Sequence, residues 1–76
     1  ENELSVTIYP NPAKDMLFIA YENGLVDTIM VYSLQGILVA ETSANNEINV
    51  SNLASGLYFI SIASEGKTVT KKFVKL

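Results

Sequence analysis

Cysteine is absent from the 76 residues, which excludes a disulfide framework, a thiolate metal site and a thiol nucleophile. Histidine is absent as well, and with it the commonest general base and the commonest zinc ligand. Tryptophan and arginine are missing too, and five lysines face eight carboxylates for a formal charge of -3. That balance argues against a nucleic-acid binder, which carries a basic surface. No apolar run approaches the roughly 20 residues that cross a bilayer. No basic segment precedes an apolar core near the first residues, so no secretory leader is expected within this stretch. Charged residues are scarce at 17% while apolar ones reach 49%, the balance of a folded domain and not of a disordered tail. At this length one domain is expected, burying roughly 60–65% of the surface its unfolded chain exposes. The chain does not open on Met and is expected to be part of something longer.

What is present is a series of short β-rich runs separated by turn residues. Ser5 to Tyr9 alternates polar and apolar, as a half-buried strand does. Further runs cover Asp15 to Tyr21, Asp27 to Ser33, Gly36 to Thr42, Glu47 to Val50, Gly56 to Ser64 and Lys67 to Lys75. About seven strands at this spacing predict an all-β antiparallel sandwich. The punctuation has a mechanism. Pro10-Asn11-Pro12 cannot continue a ladder, because prolines lack the amide donor. Asn23-Gly24 and Glu65-Gly66 supply positive φ for tight connections. Ser33-Leu34-Gln35-Gly36 has the form of a type I turn closing on a glycine bulge. Ser51 to Ala54 reads as one helical turn capped by Ser51 or Asn52 and ended by Gly56.

Two features exceed what a small sandwich needs. Met16, Phe18, Met30, Tyr32, Leu57 and Phe59 lie in runs that are apolar on both faces, so some of them must face outward. They are either scattered surface apolars or a contiguous patch that meets another protein or a second copy of the chain. Four of the five lysines, Lys67, Lys71, Lys72 and Lys75, fall in the last run. Lysine there either guards a sheet edge or offers a basic end to an acidic surface.

Catalytic chemistry finds little footing. Ser33, Ser51 and Ser55 lie in turns without a nucleophile-elbow or S-x-x-K frame, and no glycine-rich loop opens a helix to cradle phosphate. No enzyme, metal or cofactor is expected. Asn45, Asn46 and Glu47, or Asp15 with Asn11, offer oxygens to a calcium ion. The D-x-D-x-D-G pattern is missing, and Asn-rich turns are ordinary β connections. Asn49-Val50-Ser51 matches a glycosylation acceptor, a tripeptide frequent by chance.

Taken together, four segments resemble the type A C-terminal sorting domain of the type IX secretion system. Tyr9-Pro10-Asn11-Pro12-Ala13, followed by Asp15, Leu17 and Ile19, is similar to the family's Y-P-N-P start. Val31 to Gly36 is similar to its central strand and glycine turn, with Ser33 where the family often has Asp. Val50 to Tyr58, containing Leu53, Gly56 and Tyr58, resembles its V-x-x-L-x-x-G-x-Y segment. Lys71-Lys72-Phe73-Val74-Lys75-Leu76 resembles the basic motif that closes the domain.

The resemblance implies an immunoglobulin-like sandwich that serves as a secretion signal. Residues 1–76 would form the sorting domain, with Glu1 to Leu4 ending a linker from the cargo. The cargo would cross the periplasm and then the outer membrane, and reach the cell surface or the medium. The implied partners are the outer-membrane secretion machinery, a sortase-like surface protease that removes the domain and attaches the cargo, and the cargo domain itself. Recognition would rest on Tyr9 to Pro12, Gly36, Leu53, Gly56, Tyr58 and Lys71 to Lys75. Tyr58 is expected in the core with its hydroxyl on a backbone partner. Gly36 and Gly56 are expected where a Cβ would obstruct a turn, and Lys72 and Lys75 are expected to present charge. The alternative is an adhesive or glycan-binding sandwich module retained at the surface.

Overall fold

A computed structural model describes residues 4–76. Seven strands are formed: β1 (Thr7–Tyr9), β2 (Met16–Ala20), β3 (Thr28–Tyr32), β4 (Leu38–Ser43), β5 (Glu47–Asn49), β6 (Gly56–Ser64) and β7 (Lys67–Lys75). They build two antiparallel sheets, ordered β1-β2-β5 and β4-β3-β6-β7. No helix forms among the described residues. Two sheets face to face with this all-antiparallel pairing make the expected β-sandwich. β4 lies beside β3, whereas in an immunoglobulin constant-type domain the fourth strand joins the other sheet.

The core follows from strand alternation, because successive side chains point to opposite faces. Leu17 and Ile19 on β2 and Ile48 on β5 meet Ile29 and Val31 on β3, Ile60 and Ile62 on β6, and Phe73 on β7. All eight are buried. Leu4, expected at the end of a linker, is instead buried in this core. Glu1, Asn2 and Glu3, assigned to the same linker, lie outside the described residues.

The turns are those their residues favour, with two corrections. Glu65 and Gly66 join β6 to β7 with φ of 55° and 75°, the paired positive values of a type I′ hairpin turn. Gly36 has φ of 86°; its N–H donates to the Ser33 carbonyl, and the Ser33 N–H donates to the Ile37 carbonyl, both at 2.9 Å. This is the expected type I turn with a glycine bulge, so Gly36 and Ile37 belong to the turn and β4 starts later, at Leu38. The first correction concerns Ser51 to Ala54, which is a turn and not a helical one. Its cap is Asn49, whose Oδ1 accepts from the Ser51 N–H at 2.8 Å and the Ser51 hydroxyl at 2.6 Å. The second concerns space: nothing lies within 4 Å of a Cβ built on Gly36 or Gly56. Glycine is required there by φ of 86° and 149°, not by crowding.

Candidate functional site

The four segments singled out in the sequence fold to one end of the sandwich. β3 runs to Tyr32, which sits opposite Phe59 near the start of β6. The first residues of β6, Gly56 and Leu57, sit opposite Lys75 and Val74 at the end of β7. The Ser33–Ile37 turn, the Ser51–Ser55 lead-in and the end of β7 are therefore neighbours. The Pro10–Pro12 loop completes the group through backbone pairing: Ala13 forms a parallel bridge with Lys75.

Four hydrogen bonds and two ring stacks hold this end together. The Ala13 N–H donates to the Val74 carbonyl and the Leu76 N–H donates to the Ala13 carbonyl, each at 2.8 Å. Asn11 Oδ1 accepts from the Val74 N–H at 2.9 Å. Segments 63 positions apart in sequence are thus joined as one strand edge. The prolines have no N–H to donate; within this loop the donor to the edge is the Ala13 N–H and the side-chain acceptor is Asn11 Oδ1. Both Tyr9–Pro10 and Asn11–Pro12 are cis. Tyr9 is half exposed and stacks on Phe18 at 5.6 Å between ring centroids. Tyr58 stacks on Phe73 at 5.7 Å. Its hydroxyl donates to the Ala54 carbonyl at 2.7 Å, the backbone partner expected for it. Leu53 packs half-buried against the core.

The terminal segment is not the uniformly basic face its sequence suggests. Alternation from buried Phe73 puts Val74 outward and Lys75 inward. Lys75 is only 6% exposed, and its Nζ donates to the Leu76 main-chain oxygen at 2.8 Å. The expectation that Lys75 presents charge is therefore corrected. Lys72 is exposed and Lys71 is half-buried, so these two supply the accessible charge of the motif, with Lys67 at the far end of the strand.

The two-faced strands divide between the sheets. Met16 and Phe18 lie on the outer face of the three-stranded sheet, while Met30, Tyr32, Leu57 and Phe59 lie on that of the four-stranded sheet. There, register sets Leu38, Tyr32, Phe59 and Lys72 in one row across all four strands, with Leu57 beside Val74. The outward apolars are thus contiguous within a sheet but do not form one patch over the molecule.

The three asparagine oxygens considered for calcium each accept a backbone N–H. Asn46 Oδ1 accepts from the Val26 N–H at 2.9 Å and its Nδ2 donates to the Gly24 carbonyl at 2.7 Å. Asn45 Oδ1 accepts from the Asn46 N–H, and Asn11 Oδ1 is held by Val74. These asparagines organise backbone, a role that strand and turn patterns do not reveal because every partner but one is distant in sequence.

Comparison with known proteins agrees with the arrangement of motifs. The sequence profile described as "Secretion system C-terminal sorting domain" matches residues 7–76. An ulvan lyase, NLR42, of Nonlabens ulvanivorans is 33% identical over 75 residues. The match takes in 92% of this chain and only 14% of that protein, so the chain spans about a seventh of its relative. With the motifs in order and nearly every residue covered by the profile, the chain belongs to the C-terminal sorting domains of type IX secretion, the folded signals that direct a larger protein out of the cell.

Proposed function

We propose that residues 4–76 are the sorting domain of a longer cargo protein and that the secretion machinery reads the motif end of the sandwich, with β7 as its main determinant. The observation that carries this reading is the backbone pairing of the Asn11–Ala13 loop with Val74 to Leu76. It makes the first and last motifs a single surface, so recognition requires the folded domain. The role is binding and not catalysis. The cargo crosses the periplasm and the outer membrane and ends at the cell surface or in the medium. A sortase-like protease then removes the domain and attaches the cargo. Tyr9 to Pro12 and Gly36 shape this end, Gly56 and Tyr58 pair with the end of β7 while Leu53 packs on the core, and Lys71 to Lys75 belong to the strand that is read.

The test is transplantation. A fluorescent protein with an N-terminal export signal is fused to this domain and expressed in a bacterium with the type IX system. Reporter outside the outer membrane is the expected result, abolished in a strain without the system. A reporter that stays periplasmic would favour the adhesive or glycan-binding reading.

A further inference from the structure

β7 is an edge strand with two unlike portions. Near its end, Val74 turns its N–H and C=O away from β6, where Asn11 and Ala13 bond them. The register with β6 runs without a shift from Gly56–Lys75 to Ser64–Lys67. In an antiparallel pair, outward and inward backbone groups alternate. Thr68, Thr70 and Lys72 therefore present their N–H and C=O groups outward as Val74 does. Among the described residues no backbone group bonds them, since from Thr68 to Lys72 β7 pairs only with β6.

This open portion faces a second open edge. A groove of about 590 Å³ runs between β7 and the N-terminal strand, lined by Val6, Thr7 and Ile8 on one side and Thr70, Lys71 and Lys72 on the other. Among the described residues β1 pairs only with β2. Lys71 comes from the inner face of the strand and Lys72 from the outer, so the two lysines straddle the edge. Among the described residues they are the only charged ones lining the groove. The opposite edge of the same sheet differs: β4 carries a register shift against β3, and bulges of this kind blunt an edge against pairing. β7 pairs with β6 over nine residues with no such shift.

We propose that the outer edge of β7 from Thr68 to Lys72 receives an extended, acidic segment of a partner protein as an added strand. Main-chain bonds to the three outward residues would supply affinity, and Lys71 and Lys72 would select carboxylates in the partner. Ala13 already uses this edge in the same way, so an added strand extends a pairing the chain itself begins. The inference rests on the sorting reading for the partner's place in the cell, and on the edge geometry alone for its chemistry.

The test uses the isolated domain and a synthetic heptapeptide of alternating Glu and Val. Amide exchange at Thr68, Thr70 and Lys72 should slow about tenfold on saturation, with Lys71 and Phe73, already paired to β6, unchanged. The same peptide N-methylated at alternate residues, which cannot complete the ladder, should not bind, and a Lys–Val counterpart should not bind either. Thr70→Pro removes an outward N–H that β6 does not use and should abolish binding while a melting curve shows the fold retained. Equal binding of the N-methylated peptide, or no protection at millimolar Glu–Val peptide, overturns the proposal. The reporter fusion separates the two readings. Peptide binding with no export of the unmodified fusion overturns sorting and upholds the edge. Normal export of a folded Thr70→Pro fusion overturns the edge as the place where sorting is read.

Discussion

The two ends of the sandwich are built by the same device and finished differently. At the motif end Asn11 binds the backbone of Val74; at the other, Asn46 binds the backbone of Gly24 and Val26, and Asp27 Oδ2 accepts from the Glu65 N–H at 3.1 Å. Both ends use short polar side chains to satisfy backbone groups that no strand partner reaches. The surfaces diverge. Leu34, Ile37, Leu38, Leu57, Val74 and Leu76 are exposed at or beside the motif end, whereas Leu25 is the exposed large apolar residue of the far loops. Holding an end together therefore needs no cluster of exposed apolar residues, and the surplus at the motif end is what the proposed recognition would use.

The largest effect that can break this comparison comes from the interior of β7. Phe73 is 1% exposed, and Phe73→Ala should cost about 3–5 kcal/mol, measurable as a lowered urea midpoint. A domain of this size has only about 4–11 kcal/mol in hand, so the change should remove a large part of it and export should fall as the folded fraction falls. Lys75→Glu should behave like Phe73→Ala, because it sets a buried carboxylate against the Leu76 oxygen that Lys75 now addresses. A Lys75→Glu domain that melts like the parent would show that the end of β7 is not packed as described.

Next come the asparagines. Asn46→Ala deletes two hydrogen bonds and Asn11→Ala one, so losses of about 2 and about 1 kcal/mol are expected from denaturant titration. Export should rank them in the opposite order. Asn11→Ala frees the end of β7 and should reduce secreted reporter, while Asn46→Ala, the more destabilising, should spare it as long as the domain stays folded. Export that follows stability alone would erase the functional difference between the ends.

Much of this was legible in the residues. β6 and β7 have the limits their glycine and turn dipeptides announce, because Gly56 and Glu65-Gly66 need φ values that ordinary strand residues avoid. Four motifs in order were enough to give the family. The burial of Lys75 was readable in principle, since counting two residues from an inward Phe73 gives an inward side chain, but a lysine-rich end suggests exposure first. The pairing of Ala13 with Lys75 was not readable, because no local propensity encodes a bridge between the two ends of the chain. Asn49 was overlooked as a cap because Ser51 is an equally good capping type, and only geometry decides which side chain accepts.

Glycine substitutions should act almost alike at both ends. Gly36→Ala and Gly66→Ala meet no atom within 4 Å, so each should cost only the price of a positive φ, about 1 kcal/mol, seen as a lower melting temperature. A much larger loss at Gly36 would mean that the β3–β4 turn packs against its own domain more closely than described.

The smallest effect on stability should carry the clearest functional answer. Lys71→Glu combined with Lys72→Glu changes side chains that no salt bridge holds among the described residues, one exposed and one half-buried. Surface changes move stability by less than about 0.5 kcal/mol, so Lys72→Glu alone should leave the melting curve where it is, and the double change, with Lys71 half-buried, should lower it only slightly. Two explanations of these lysines then part. If they only keep the β7 edge from pairing with other chains, glutamates do that as well, because either sign of charge opposes edge-to-edge contact. Export would continue. If an acidic segment reads the edge, the reversal turns attraction into repulsion and reporter should accumulate in the periplasm. The same pair changed to glutamine removes charge without reversing it and should give an intermediate loss. A binding assay with the Glu–Val peptide should follow the same order and weaken as salt is raised. Equal export of the parent, glutamine and glutamate forms would assign the lysines to edge protection, leaving the apolar row of Leu38, Tyr32 and Phe59 as the surface by which the two ends of the molecule differ.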